Sequence, residues 1–186
     1  MTTLLLHACC GPCATYPVEH LRHQGYQVTA LWYNPNVHPF QEHQLRLESM
    51  QRLAQAVDLP LLIPEGYDFI RYLRAVVGRE AERCQHCFRL RLTKTAEIAR
   101  QNGFAAFTTT LLISPYQKHE LLRQIGEEVA AETGVPFLYQ DLRPGYSQSR
   151  KLSKKHDLYR QQYCGCIYSE WERHSRVDII VEEKQR

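Results

Sequence analysis

The cysteines of this 186-residue chain fall into three tight groups, and cysteine thiolates bind soft metals or carry redox chemistry. The groups are Cys9, Cys10 and Cys13; Cys84 and Cys87; and Cys164 and Cys166. Structural disulfides rarely cluster so closely, and in a cytosolic protein such spacing favours a metal, a cluster or a redox pair. We therefore expect a metal or redox site and a cytoplasmic protein.

Two of these groups together supply enough sulfur ligands for one metal site. Cys84 and Cys87 lie at the predicted start of a helix, where free N–H groups and the helix dipole favour thiolate. Alone, this pair fits half of a zinc site, half of an iron–sulfur site or a thioredoxin-like redox pair. With Cys9 and Cys10 it gives four thiolates, which suit structural zinc and a [4Fe–4S] cluster equally in ligand count. Cys13 is then left over, and packing as a small apolar side chain would explain it.

The third group has only one residue between its cysteines. A disulfide between Cys164 and Cys166 would close a small, strained ring, and strained disulfides are readily reduced and often catalytic. The pair therefore fits a two-electron store or ligands to a second iron. Two cysteines without any role are the alternative.

A basic segment leads directly into this pair. Between Arg143 and Arg160 there are six basic residues and one acidic residue, with Tyr146 and Tyr159 interleaved. Basic residues bind phosphates and aromatic rings stack on unpaired bases, so the composition fits a single-stranded RNA loop. A solvated polar helix face explains the composition slightly better, but the position next to Cys164 favours nucleic acid. The candidate contacts are Arg143, Tyr146, Lys154 and Lys155.

The elements that must position these residues alternate between strand and helix. Apolar and β-branched runs predict strands at 3–8, 27–33, 60–63, 104–110 and 136–139. Such alternation predicts an α/β fold with a Rossmann-like, mostly parallel sheet and flanking helices. Ligands bind at the carboxyl ends of such strands, so Cys9, Asn34–Asn36 and Thr108–Ser114 should share one edge.

Apolar residues at helical spacing predict three helices between the strands. The stripes comprise Leu47, Met50, Ala54 and Val57; Phe88, Leu92, Ala96 and Ala99; and Leu121, Leu122, Ile125 and Val129. The second helix should end near Asn102 and Gly103, and the third should begin at Ser114 as its N-cap. We expect a single domain over 1–186, with a metal-binding core at about 3–170 and a charged tail at about 172–186.

Composition excludes several other classes of protein. Apolar residues make up 44% and charged residues 23%, which is ordinary for a globular protein and argues against disorder. No apolar run reaches the roughly 20 residues of a membrane helix, and the first ten residues do not predict a secretory signal. The net charge of +3 allows an anionic partner without requiring one.

Taken in order, the motifs resemble one family, the cobalamin-independent epoxyqueuosine reductases (QueH). The matching segments are His7–Cys13, Tyr33–Pro39, Cys84–Arg91, Phe107–His119 and Tyr163–Cys166. The resemblance covers about residues 3 to 170. It implies a fold similar to the adenine-nucleotide α-hydrolase type, with an iron–sulfur site at the carboxyl edge of the strands.

The resemblance also implies a reaction, in which the epoxide of epoxyqueuosine at the tRNA wobble position is reduced to an alkene. It implies a [4Fe–4S] cluster on Cys9, Cys10, Cys84 and Cys87. By the same resemblance Cys164 and Cys166 are the redox pair, and Cys13 is a candidate ligand for an additional iron. An unidentified electron donor is needed, and Tyr163, His7 and His119 are proton-donor candidates by position. The remaining candidates for substrate or tRNA contact are Tyr33, Asn34, Thr109, Ser114 and Lys118.

Two other functions fit parts of the sequence. A zinc-stabilised RNA-binding module without redox activity would use the same cysteines and the same basic segment. A PP-loop-like nucleotide enzyme fits the strand order, but Cys9–Cys13 stands where its Ser-Gly-Gly-x-Asp-Ser phosphate loop should be. The reductase therefore remains our leading hypothesis.

Overall fold

The alternation of strands and helices produces one parallel sheet. A computed structural model describes residues 2–177 of the chain. Its strands are β1 (Thr2–His7), β2 (Tyr26–Leu31), β3 (Leu61–Leu62) and β4 (Ala106–Thr109). They lie in the order β3-β2-β1-β4, and every pairing is parallel. The predicted α/β class and Rossmann-like sheet are therefore confirmed.

Helices flank the sheet on both faces. They are α1 (Gly11–His23), α2 (Phe40–Ala56), α3 (Phe69–Val76), α4 (Arg83–Gln101), α5 (His119–Thr133), α6 (Tyr146–Lys155) and α7 (Ile167–Ser175). The side chains of α1 and α2 pack on one face of the sheet, and those of α4 and α5 pack on the other. In addition, α6 packs against α1, and α3 packs against α4.

The central strand supplies both halves of the core. Successive strand residues point to opposite faces, so Leu4 and Leu6 meet α1 and α2 while Leu5 meets α4 and α5. All three are fully buried, and each such burial contributes about 1.5–3 kcal/mol. This apolar strand fixes the position of the polar and sulfur-bearing residues that follow it.

The predicted helical stripes all face the core, as buried or partly buried residues. The predicted end of the second patterned helix is confirmed, because α4 stops at Gln101 and Gly103 takes a positive φ of 69°. Since α4 begins at Arg83, Cys84 lies in its first turn and Cys87 begins the second.

Two boundary predictions were wrong. Helix α5 begins at His119, five residues after the predicted N-cap, because Ser114 closes a turn in which its Oγ accepts a hydrogen bond from the Tyr116 N–H. The predicted fifth strand is only a single bridge between Phe137 and Phe107. Pro136 has no N–H to donate, which limits the ladder at that edge.

The charged tail predicted from about residue 172 begins inside α7, which continues to Ser175. Its remainder from residue 178 lies outside the described residues. No helix in the described range combines the length and apolar character needed to cross a membrane.

Candidate metal and redox site

The first cysteine group lies at the carboxyl end of the central strand. Strand β1 ends at His7, and Cys10 is the N-cap of α1, its Sγ accepting a hydrogen bond from the Cys13 N–H at 3.4 Å. A Cβ on Gly11 would lie 2.6 Å from the Ser49 carbonyl oxygen of α2, so only glycine fits there. The Gly-Pro step thus lets the backbone turn tightly and brings three sulfurs around the start of α1.

These three sulfurs form a compact set of soft donors. The Sγ atoms of Cys9, Cys10 and Cys13 all lie within 4.8 Å of one another, and Cys10 is buried. Thr110 donates its hydroxyl to the Cys9 sulfur at 3.2 Å, and the Gln161 amide lies 3.0 Å from the Cys10 sulfur. We call this set the Cys9 group. It is the one cluster of potential metal-binding side chains found between residues 2 and 177.

The protonation of the Cys9 group favours binding of a cation. Hydrogen bonds from Cys10, Cys13 and Thr110 hold the pKa of Cys9 well below its usual range. Burial raises the pKa of Cys10, whereas hydrogen bonding to its two neighbours, and then burial, raises that of Cys13. One thiolate therefore forms readily, but a second and third require a positive charge among them. A thiophilic metal supplies that charge, so this donor set fits a thiolate-bound metal.

The other four cysteines are not members of the Cys9 group, but Cys87 and Cys164 share the electrostatic neighbour Arg91 with Cys9. Cys87 is buried, and burial raises its pKa to about 12. Cys166 is buried as the N-cap of α7, while Cys164 is exposed, with the Gln117 amide 3.5 Å from its sulfur. All seven cysteines are free thiols, so no disulfide joins Cys164 to Cys166 in this structure. In the structure, Cys13 and not the Cys84 pair completes the tightest sulfur set.

A buried arginine connects the three cysteine motifs electrostatically. Arg91 is 2% exposed, one turn after Cys87 on α4, and its Nε donates to the Cys87 carbonyl at 3.4 Å. Its Nη2 is buried without a hydrogen-bond partner, and no carboxylate within residues 2–177 pairs with it. Burial lowers the pKa of Arg91, but charge on Cys87, Cys164 and Cys9 outweighs that effect and raises it. A buried cation of this kind needs anionic sulfur beside it.

A second buried arginine fixes the loop that carries the third cysteine pair. Arg46 of α2 is 1% exposed and forms an ion pair with Glu42 at 2.7 Å. Its two terminal nitrogens donate to the carbonyls of Cys164 at 2.8 Å and Tyr163 at 3.1 Å. The Gly165 carbonyl accepts a further bond from the His38 N–H, and Gly165 takes a φ of 143° that favours glycine. The backbone of this loop is therefore anchored although the Cys164 thiol is exposed.

The proton-donor candidates differ in their surroundings. His7 is fully buried, with Nδ1 2.9 Å from the Thr109 hydroxyl and Nε2 3.1 Å from the Tyr33 carbonyl. Burial lowers its pKa to about 4, so at neutral pH it is an uncharged residue that supports the end of β1. His119 bonds the Ser114 carbonyl through Nε2, and Tyr163 donates its hydroxyl to the His38 carbonyl.

The predicted substrate contacts separate into two regions. Tyr33 and Asn34 follow β2, where Tyr33 donates to Asp68 and the Asn34 amide donates to the Ala8 carbonyl at 2.9 Å. Thr109 is fully buried, and its hydroxyl accepts from the Leu111 N–H, so it shapes the strand end and cannot touch a large substrate.

The basic segment forms α6 and the turn before it. Arg143 pairs with Asp141 at 2.6 Å, which neutralises it locally, whereas Lys154 and Lys155 are exposed at the end of α6. Burial raises the pKa of Tyr146, and nearby Tyr116 and Cys13 raise it further. The basic helix therefore begins within electrostatic range of the Cys9 group.

Several residues of the site were not singled out from the sequence. They are Arg46, Arg91, Thr110, Gln117 and Gln161. Arg91 follows Cys87 by four residues, which places both on one face of a helix, so the sequence alone could have indicated Arg91 as a neighbour of the cysteine. Thr110 and Gln117 lie in the segment Phe107–His119 that the sequence already marks as a motif, whereas Arg46 and Gln161 depend on which segments pack together.

The family model and the relatives that match this chain carry the same description. A family model described as epoxyqueuosine reductase QueH matches residues 4–172. A protein of that name from Dehalococcoides mccartyi is 47% identical over 170 residues, covering 91% of this chain and 93% of its own length. Another from Thermotoga maritima is 32% identical over 185 residues, covering 95% and 94%.

One solved structure gives an independent view of the fold. It is described as a predicted subunit of tRNA methyltransferase from Methanocaldococcus jannaschii. The TM-score is 0.53 at 12% identity, with 83% of this chain and 75% of that chain covered. At this identity the likeness concerns the α/β architecture alone.

Proposed function

The chain belongs to the epoxyqueuosine reductase QueH family, and on this premise we propose that it reduces epoxyqueuosine in tRNA with an iron–sulfur cofactor held by its cysteines. The observation that carries the proposal is the Cys9 group, three thiols within 4.8 Å at the carboxyl end of the central strand. Parallel α/β sheets bind their ligands at that edge.

The proposed ligands of the cofactor are Cys9, Cys10, Cys84 and Cys87, with Cys13 as a ligand for an additional iron. Support comes from the soft donor set and from Arg91, because charge on Cys87 and on Cys9 raises the pKa of this one buried guanidinium. When bound, such a cofactor supplies single-electron transfer and Lewis acidity. Cys13 lies inside the same sulfur set as Cys9 and Cys10, which favours a ligand role over simple packing.

The pair formed by exposed Cys164 and buried Cys166 is suited to supply two electrons together. Conversion of an epoxide to an alkene and water consumes two electrons and two protons. Oxidation of Cys164 and Cys166 to a disulfide releases two electrons and two protons, so the two half-reactions balance. An external reductant, whose identity the sequence does not give, must then return the disulfide to two thiols. The exposure of Cys164 makes it accessible to such a donor.

The tRNA must present an unpaired nucleotide at this edge of the sheet. Anticodon-loop bases are recognised after they leave the stack, and phosphates are held by basic side chains. We assign phosphate contacts to Lys154 and Lys155, because both are exposed on the helix that begins near the Cys9 group. The remaining proposed contacts are Tyr33, Asn34, Ser114, Lys118, Arg143 and Tyr146. A cytoplasmic location remains a prediction.

Conversion of epoxyqueuosine-containing tRNA tests the proposal. The anaerobically purified protein is incubated with that tRNA and a chemical reductant, and the digested nucleosides are separated by mass spectrometry. We expect queuosine to appear and epoxyqueuosine to fall in equal amount. Unchanged epoxyqueuosine with a fully loaded protein would contradict the proposed reaction.

A further inference from the structure

A cavity of about 480 Å³ opens at the carboxyl ends of β2 and β3, outside the cysteine site described above. Its walls include Trp32, Phe40 and His43, together with the segment 63–68. This volume falls in the range of pockets that bind small organic groups. None of the cysteines lines it, so its function is separate from metal binding.

Aromatic rings dominate one side of this cavity. The rings of Phe40 and His43 are stacked at 14° with centroids 6.2 Å apart, and the rings of His43 and Tyr67 are 4.3 Å apart. Phe40 begins α2 and is 56% exposed. An exposed phenyl ring on the wall of a cavity offers a free π face, and every nucleobase has a face that stacks on such a ring.

One buried polar atom in the wall lacks a partner. The Asn34 side chain is held at the end of β1, where its amide nitrogen donates to the Ala8 carbonyl and its amide also interacts with His7. His43 accepts from the Trp32 indole at Nε2, so its unpartnered Nδ1 carries the proton and is an unused donor. His43 is 6% exposed. A ligand with an acceptor at its edge would satisfy this donor, and every nucleobase has one.

The charges around the cavity suit a nucleotide within a strand. The Lys94 ammonium lies 5.9 Å from the centre of the Tyr33 ring, and Arg71 is an electrostatic neighbour of the same tyrosine. These cations lie beside the wall and can meet phosphates on either side of an inserted base. The Glu65 and Asp68 carboxylates in the wall would repel a phosphate placed inside. The base, and not its phosphate, is therefore the part that enters.

The cavity is linked to both cysteine regions through one loop. Asn34 bonds to the residue before Cys9, and the His38 N–H bonds to the Gly165 carbonyl between Cys164 and Cys166. The loop that forms part of the cavity wall therefore also contacts the backbone of both cysteine segments. We propose that the cavity binds an unpaired nucleobase of the tRNA anticodon loop that neighbours the reacting nucleotide. This inference rests on the proposed function.

Binding measurements with Phe40→Leu test this cavity without requiring turnover. The probe is an anticodon stem-loop RNA with guanosine at the wobble position, and a series of the same RNA with one loop base at a time removed. We expect Phe40→Leu to weaken binding of the intact RNA by about tenfold, because a stacking face is lost. Phe40→Trp, which keeps a π face, should bind as the wild type does.

The series of RNAs identifies the ligand. For one loop position, removal of the base should abolish the difference between wild type and Phe40→Leu, whereas for the others the difference should persist. Tyr26→Leu, at the opposite end of β2, is the matched control and should leave binding unchanged. Equal loss for every RNA, or no loss for any, would overturn the cavity proposal.

The same experiment separates this inference from the proposed function. Wild type that converts epoxyqueuosine while Phe40→Leu binds every RNA normally would overturn the cavity alone. Wild type that shows the base-specific effect but reduces no epoxyqueuosine would support the cavity and contradict the reaction. Adenosine monophosphate that binds at micromolar concentration and is lost in Phe40→Leu would assign the cavity to a free nucleotide and overturn the inference.

Discussion

The Cys9 group and the Cys164–Cys166 loop are both built from closely spaced cysteines, and each has a buried cysteine as a helix N-cap, yet they differ in how closely their sulfurs are held together and in their exposure. The Cys9 group lies where a central strand meets a helix, with its sulfurs within 4.8 Å and Cys10 buried. In the Cys164–Cys166 loop one thiol is exposed, while Arg46 and His38 hold only the backbone.

This difference indicates a division of labour. Sulfurs fixed by strand, helix and glycine contacts are preorganised, which favours permanent ligation of a metal. An exposed sulfur on an anchored backbone can change its bonding without disturbing the core, which favours reversible redox chemistry. Each prediction below tests one side of this comparison.

The largest expected effect follows from removing a sulfur of the Cys9 group. In Cys10→Ser we expect bound iron to fall by more than tenfold, and epoxyqueuosine reduction to be lost with it, because a hydroxyl is a poor substitute for thiolate. Iron and acid-labile sulfide are measured per chain after anaerobic reconstitution. Wild-type iron content in Cys10→Ser would remove the ligand role from this group.

Cys164→Ala should separate turnover from metal content. We expect iron and sulfide close to the wild-type amounts but at least a hundredfold slower reduction under multiple turnover, because the two-electron store is gone. Cys164→Ser serves as the polar control and should behave likewise. Normal turnover in either variant would contradict the redox assignment of the Cys164–Cys166 loop.

Arg46→Met tests whether the anchoring of this loop matters. It leaves Glu42 buried without its partner, and breaking a buried pair in this way costs about 3–5 kcal/mol. We expect a lower melting temperature and roughly tenfold slower reduction at unchanged iron content. The double variant Arg46→Met with Glu42→Met should regain stability but not rate, and recovery of both would show that the loop needs no anchor.

The smallest effect is expected on the surface of α6. Lys154→Glu combined with Lys155→Glu should weaken tRNA binding about tenfold at low salt and much less at high salt, because counterion release drives such contacts. Lys151→Glu, on the same helix, tests whether the effect is local. Equal binding by the double variant and the wild type at low salt would leave these lysines as ordinary surface.

Much of the fold is readable from the sequence, for identifiable reasons. Apolar runs punctuated by glycine and proline mark the strands, and Gly11 and Gly103 occur where the backbone needs them. The start of α5 was misplaced because Ser114 can cap either a helix or a turn, and its local sequence suits both. The predicted fifth strand forms only one bridge to β4. Pro136 has no N–H to donate, so the pairing does not extend into a ladder.

Only those site residues whose type and spacing indicate a chemical function can be predicted from the sequence. The cysteines do so by type and spacing, so their motifs were recognised. Thr110 reaches the Cys9 sulfur because β4 lies beside β1, with His7 opposite Thr109. The sequence predicts that both segments share one edge of the sheet, but it does not predict that these two strands are neighbours. The spacing of Arg91 from Cys87 is visible in the sequence, but its burial without a carboxylate partner is a property of the fold.

The metal content of anaerobically purified wild-type protein tests the central claim most directly. We predict a brown protein that contains iron and acid-labile sulfide. Its absorption band in the visible range should bleach on reduction. A colourless, fully folded protein with stoichiometric zinc and no sulfide would contradict the account, because zinc cannot carry the electrons that the proposed reaction requires.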